Sequence, residues 1–397
     1  MPFVIVLLAV AVFAQGTSEF MLAGLLPAIA SDLAVSIPQA GLLTSAFALG
    51  MIVGAPLMAI VGRRWSPRLA LSAFLLVFIA MHVLGASTDD FGVLFVTRMV
   101  AAITNAGFLA VTLSTVSALV PADRTARALS VILGGTTLAL IAGVPAGAAV
   151  GALLDWRAAL WGVAVISVPA LVAVLLATPT RSIGTKRSTT LKDELGSLRR
   201  PALLVPLGLG ALVNGATFCA FTYLAPVVTE SAGLPDAAVP AALVIFGVGS
   251  SVGVWVAGRY GDRHAARILT VGGVALLIGW GAFATLSAIP VALFAFAFVQ
   301  GALSFAVGST LIASSIRAAA NAPTMSGSFA TASLNVGAAA GPALGGMAYA
   351  TAAGATGPLL VSAALLCAAV LAFTAMRGLA KRDDLRDDRS GEMSESR

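Results

Sequence analysis

Residues 50–68 read GMIVGAPLMAIVGRRWSPR, and residues 249–267 read GSSVGVWVAGRYGDRHAAR. The two strings stand 199 positions apart. In that frame Gly50 meets Gly249, Gly54 meets Gly253, Gly62 meets Gly261, Arg64 meets Arg263 and Arg68 meets Arg267. Moving outward in the same frame, Gln15-Gly16 meets Asn214-Gly215 and Pro27 meets Pro226. A glycine-rich chain produces one or two such matches by chance. Seven in one frame, at turn residues as well as within apolar runs, argue for an internal duplication.

What is duplicated is a set of membrane crossings. Of the 397 residues, 59% are hydrophobic and 10% charged, whereas soluble domains carry about a quarter charged residues. Apolar runs long enough to cross a hydrocarbon core of about 30 Å recur from end to end. In lipid they must be helices, because each backbone polar group has to be satisfied inside its own segment. The runs place crossings at 3–29, 38–60, 68–88, 92–119, 126–150, 156–178, 202–229, 239–258, 267–287, 290–317, 325–350 and 355–376. The expected fold is therefore an all-α membrane protein of twelve helices. Residues 1–178 form one six-helix bundle and 202–376 a second, pseudo-symmetric one. The polar segment 179–201 is a linker, and 377–397 is a disordered tail. The first run has no basic leader and carries Glu19 within it, so it reads as a retained helix rather than a cleaved signal.

The basic excess reports topology. With the N-terminus in the cytoplasm, Arg63, Arg64, Arg68, Arg124, Arg127, Arg259, Arg263, Arg267 and Arg317 fall inside, as do the basic residues of the linker and tail. Arg157 alone falls outside, among Asp32, Asp89, Asp90, Glu230 and Asp236. This asymmetry places both termini in the cytoplasm and points to a lipid bilayer, not to nucleic acid. Cys219 and Cys367 have no metal-ligand spacing and read as small buried hydrophobes. No P-loop or metal cluster is evident, so neither a cofactor nor a metal is expected.

The motifs carry a resemblance. Gly337-Ala338-Ala339-Ala340-Gly341-Pro342-Ala343-Leu344-Gly345-Gly346 matches G-x-x-x-G-P-x-x-G-G, the motif of proton-driven antiporters. A looser copy runs through Gly143, Pro145 and Gly147, with Gly151 following. Gly258-Arg259-Tyr260-Gly261-Asp262-Arg263 resembles the cytoplasmic G-x-L-a-D-R motif of the major facilitator superfamily. In the first copy of that turn Arg63 stands where Asp262 stands in the second. Arg98 begins a degraded R-x-x-Q-G motif. Further strings look like the chloramphenicol-resistance exporters of that superfamily: Phe13-Ala14-Gln15-Gly16-Thr17-Ser18-Glu19-Phe20-Met21-Leu22-Ala23-Gly24, Thr104-Asn105-Ala106-Gly107-Phe108 and Gly308-Ser309-Thr310-Leu311-Ile312. The G-T-x-E-F core is shared with sugar and purine-nucleoside exporters, which remain the alternative cargo. The resemblance implies two halves rocking about a central substrate site in the inner cell membrane. It implies proton-coupled efflux of a small neutral amphipathic drug by a monomer that is not an enzyme. It also implies a cytoplasmic gate at Arg63, Asp262 and Arg263, resting chiefly on Asp262.

Once loop charges are set aside, two ionisable residues lie firmly within the crossings, Glu19 and Arg98. At 1.5 Å per residue Glu19 stands about 24 Å from the cytoplasmic end, and Arg98 enters about 9 Å from the other side. Their heights are compatible. Ionisable groups at such depth are functional candidates. Glu19 is read as the proton carrier with Arg98 as partner, and a static ion pair is the competing reading. Gln15, Thr17, Asn105, Asn214, Tyr223, Gln300 and Asn335 offer hydrogen bonds to a substrate, and Phe20 and Phe218 offer ring contacts. His82 reads as interfacial, and His264 as a solvated turn residue.

Overall fold

The computed structural model describes residues 3–61, 65–119, 122–177, 201–318 and 326–375. Arg63, the expected tail, and the expected linker apart from Pro201 lie outside the described residues. The first set of helices comprises α1 (Phe3–Phe20), α2 (Ile37–Val61), α3 (Pro67–Ala86) and α4 (Phe91–Leu119). It continues with α5 (Ala122–Leu138, prolonged through Ala139–Gly143 and Val144–Leu153) and α6 (Trp156–Ala177). The second set opens with α7 (Pro201–Thr222). The helix Val239–Leu286 follows, and its two limbs are α8 and α9. Then come α10 (Pro290–Ala318), α11 (Ser326–Tyr349) and α12 (357–375). Among the described residues ten helical spans are long and apolar enough to cross a membrane. One of them, Asp236–Leu286, is 51 residues long and holds two crossings, since about 20 residues suffice for one. α11 is absent from the ten because its Gly, Ser and Asn lower its hydropathy. Together these bring the count to twelve.

Local chemistry sets the helix starts. Ser36 and Gln39 form a reciprocal capping box before α2, with Ser36 N–H donating to Gln39 Oε1 at 2.9 Å and Gln39 N–H to Ser36 Oγ at 3.3 Å. Ser66 accepts from Leu69 N–H ahead of α3, where Pro67 fills the first turn. Asp90 Oδ1 accepts from Val93 N–H at 2.8 Å to start α4.

Three expected crossings are less regular than the sequence suggested. Segment 3–29 is not one helix: after Phe20 a 3₁₀ turn, Met21–Gly24, leads into a short helix, Leu26–Asp32. Its repeat partner breaks likewise, with Tyr223 interrupting α7 before Leu224–Pro226 and a π turn, Val227–Ser231. Pro27 and Pro226 are repeat mates, and neither has an N–H to continue the ladder. Pro145 has the same consequence in α5, where the π turn Ala139–Gly143 precedes it. The loop expected between 258 and 267 is helical, bent where His264 takes φ −127° and ψ 24°.

The duplication recurs in the packing. A methyl group built on Gly54 would stand 2.7 Å from Ile103 Cα, and one on Gly253 would stand 2.9 Å from the Ala302 carbonyl carbon. Gly50 meets the backbone of Met99 in the same way, and Gly249 that of Phe298. Met99 and Phe298, like Ile103 and Ala302, are themselves 199 apart. So α2 lies on α4 as α8 lies on α10, backbone against backbone, because glycine removes the intervening side chain.

Two large hydrophobic cores result among the described residues, beside a small cluster of Leu203, Leu207 and Phe329. One is built from α1–α6 and includes Tyr223 from the second set of helices. The other is built from α7–α12 and includes Phe20, Ala23, Leu140, Val144 and Ala148 from the first. These exceptions mark two seams. Along one, Gly247 of α8 meets the backbone of Leu140 and Ile141 in α5. Along the other, α11 lies on α2, and a methyl group built on Gly346 would stand 3.2 Å from Pro38 Cβ. At the loop end carrying Asp32, Asp89 and Asp155, Arg157 pairs with all three and lies 4.4 Å over the Trp156 ring. The Arg157 hydrogen bond holds the Asp32 carboxyl below the usual range, aided by the Trp156 indole N–H at 3.1 Å.

Candidate coupling and translocation site

Arg98 is 2% exposed, buried inside the first core. A guanidinium taken out of water costs several kcal/mol unless its donors are satisfied. α1 supplies the acceptors. Nη1 donates to Ser18 Oγ at 2.8 Å, and Nη2 donates to the Ser18 carbonyl at 2.5 Å. The Phe47 ring of α2 lies 4.6 Å from the guanidinium carbon, a cation–π contact. Ser18 Oγ in turn lies 2.6 Å from His82 Nε2, and His82 Nδ1 lies 2.8 Å from the Phe78 carbonyl.

Glu19 is the next residue on α1 and is half-buried. It and Arg98 attract each other through space, yet among the described residues they form no contact ion pair. Ser18 occupies the guanidinium, and the Glu19 carboxylate has no hydrogen-bond or ion-pair partner among the described residues.

Facing surfaces of α7 and α11 carry a second pattern. Gly337 meets Ala211 and Gly215, Gly341 meets Gly215 and Cys219, and Gly345 meets Cys219 and Tyr223. Both sets advance by four residues, so the α7 backbone runs along a strip of bare α11. The looser copy does the same on α5: Gly143 meets Thr17, Gly147 meets Met21 and Gly151 meets Leu25. Each strip binds its helix to the first helix of its own half. α5 and α11 are also the helices that form the two seams.

The model of the Major Facilitator Superfamily matches residues 8–330. The chain belongs to the major facilitator superfamily. It is 55% identical over 373 residues to a chloramphenicol resistance protein of Streptomyces lividans, covering 94% of this chain and 95% of that one. It is 34% identical to the inner membrane transport protein YdhP of Escherichia coli K12, covering 85% of this chain and 87% of that one. Among solved structures it resembles an inward-facing, unoccupied bacterial homologue of the human lysosomal transporter Spinster, with TM-score 0.73 and 17% identity over 97% of this chain and 98% of that one. It also resembles the nucleoside transporter NupG, with TM-score 0.77 and 13% identity over 94% and 99%. These two likenesses concern the fold.

In this major facilitator chain the other candidate residues fall into three groups. Gln15 is 1% exposed, and neither its amide nitrogen nor its oxygen has a partner among the described residues; Thr17 Oγ1 has none either. The rings cross between the halves: Phe20 lies 5.7 Å from Phe218 and 6.4 Å from Phe221, Phe221 lies 4.8 Å from Phe246, and Phe246 lies 6.5 Å from Phe305. Several polar groups are already engaged within their own half. Asn214 donates to Leu334 O at 2.7 Å, Asn335 to Thr331 O at 2.9 Å and Gln300 to Leu276 O at 3.1 Å. The Tyr223 hydroxyl donates to Pro342 O at 2.9 Å, and its ring fills a slot between Gly41 of α2 and Gly345 and Gly346 of α11. Asn105 is buried on α4. At the opposite end Asp262 is exposed and lies 3.4 Å from Arg317 of α10, and Arg263 is exposed beside it.

Sequence reasoning missed Ser18 and His82. His82, near the end of α3, is 2% exposed and packed inside the bundle. Hydropathy gives its depth along α3 but not the face it occupies, and that face is turned to α1.

Proposed function

We propose that this chain exports chloramphenicol or related small neutral amphipathic molecules from the cell in exchange for protons, by alternating access of its two halves. The cargo reading is carried by the 55% identity, sustained over 94% of the chain, to a protein named for chloramphenicol resistance. The transport reading follows from family membership. Proton coupling rests on Glu19, whose carboxylate lies beside the buried Arg98 but is not tied to it. A carboxylate in that position changes protonation as hydration and distance to the cation change, and alternating access supplies both changes. Gln15, Thr17 and the ring series from Phe20 to Phe305 provide a mostly apolar path with a few hydrogen-bonding groups, the character of a small-molecule site.

In this reading the end bearing Asp32, Asp89 and Asp155 faces outward and both termini lie in the cytoplasm, in the inner membrane of a monomer. Tyr223 closes the outward end across the α2–α11 seam. Asp262, paired with Arg317, belongs to the cytoplasmic gate with Arg63 and Arg263.

Expression in a drug-sensitive host tests the cargo. Chloramphenicol tolerance is expected to rise above the empty vector, and the gain is expected to vanish with a proton uncoupler. Unchanged drug tolerance together with enhanced efflux of sugars or purine nucleosides would transfer the fold to the alternative cargo.

A further inference from the structure

We propose that His82 is a positioning residue for coupling: as a neutral acceptor it holds Ser18, and through Ser18 the Arg98 guanidinium, against the turn of α1 that carries Glu19. The inference rests on the reading of Glu19 as the exchanging acid.

The hydrogen-bond polarity leads to this role. The Phe78 carbonyl can only accept, so the nitrogen 2.8 Å from it, His82 Nδ1, carries a hydrogen. In the neutral ring Nε2 then presents a lone pair. The Ser18 hydroxyl, 2.6 Å away, donates to it. That donation turns the Ser18 lone pairs outward to receive Arg98 Nη1–H at 2.8 Å. The series therefore runs one way, from Arg98 to Ser18 to His82 to Phe78. The Phe78 ring, 4.2 Å from the imidazole, helps fix its plane.

Each alternative state of His82 breaks the series. A protonated ring would aim a second N–H at Ser18 and place a like charge 3.5 Å from Arg98 Nη1 inside the core. A side chain without an acceptor would leave the Ser18 hydroxyl proton without the partner that anchors it, so the hydroxyl could rotate and its lone pair would no longer be held toward Arg98 Nη1. Nη2 would keep the Ser18 carbonyl and the Phe47 ring would stay over the guanidinium, but Nη1 would lose its oriented acceptor, and Nε has no partner among the described residues. The charged groups of the helices around Ser18 narrow the electrostatics. α1 contributes Glu19 and α4 contributes Arg98, while the described charged side chains of α5 and α6, Arg127 and Arg157, stand near helix ends. The field that Glu19 feels from within the bundle is thus set by where Arg98 sits, and His82 sets that through Ser18.

The test uses the full-length protein in proteoliposomes. Export is measured against pH for wild type, His82→Leu, His82→Gln, Ser18→Ala, Arg98→Ala and Glu19→Gln. Arg98→Ala removes the cation that favours the Glu19 carboxylate, so its pH optimum is expected to move upward. His82→Leu keeps an apolar volume but has no acceptor, and its optimum is expected to move the same way. His82→Gln offers an amide oxygen to Ser18 and is expected to stay near wild type. A merely structural role would lower folded yield without moving the pH profile. Should His82→Leu fail to fold, Ser18→Ala removes the middle link without touching the ring and is expected to give the same upward shift. An unshifted profile in both, with Glu19→Gln inactive, overturns the positioning role alone. Normal coupling in Glu19→Gln overturns both this role and the reading beneath it.

Discussion

Glu19→Gln is expected to abolish export against a gradient while leaving a folded protein that still binds drug. The substitution keeps the shape of the side chain and removes its charge, so it imitates the protonated form and cannot release a proton to reset the cycle. Folding should not suffer, because a neutral amide is easier to bury than a carboxylate. Nor should drug binding, because the proposed cargo is neutral and needs no counter-charge. Its Kd is expected to stay within about threefold of wild type, which is about 0.6 kcal/mol. Uptake of labelled drug by energised cells, with and without an uncoupler, measures the first effect; binding to purified protein measures the second. Glu19→Asp keeps the acid one methylene further back and is expected to retain partial activity with a displaced pH dependence. Uphill export by Glu19→Gln would return Glu19 to a packing role.

Gly341→Val is expected to remove export through an unrelated cause. The Gly341 face of α11 lies against the backbone of α7, and a Cβ there would meet the Gly215 carbonyl and stand 3.1 Å from Cys219 N. Backbone cannot step aside as a flexible side-chain end can. Overpacking of this kind costs about 1–3 kcal/mol, and it displaces a helix that also forms the seam with α2. Gly208→Ala is the control, since a methyl group there meets nothing within 4 Å. Folded yield and drug export should both fall in the first variant and hold in the second. Equal yields and activities in the two would mean that the strip is not a close-packed contact.

Those glycines were legible before any coordinates, because spacing by four along a helix defines a face whatever the partner. The repeat was legible for the same reason, and the partners it implied, Met99 with Phe298 and Ile103 with Ala302, follow its frame. Partner choice without a repeat was not legible. Tyr223 reads in the sequence as a polar aromatic available to substrate. Its slot becomes visible only when Gly41 of α2 and Gly346 of α11, far from it in sequence, are both known to face its hydroxyl across a seam. Asn214 and Gln15 are repeat mates, yet Asn214 spends its amide on Leu334 O while the Gln15 amide has no partner among the described residues. Symmetry predicts position and says nothing about which neighbour offers a carbonyl. His82 escaped because one histidine in an apolar run has no period of its own. Its meaning comes from Ser18, a residue that looks inert in a string read for Glu19.

Proton release on drug addition is the measurement closest to the central claim. Purified protein in weakly buffered detergent solution receives chloramphenicol while external pH is followed, wild type beside Glu19→Gln. The account predicts that wild type releases protons in proportion to drug bound and that Glu19→Gln binds drug with no release. Release of equal size from both proteins, or drug binding by wild type without any proton signal, would contradict it.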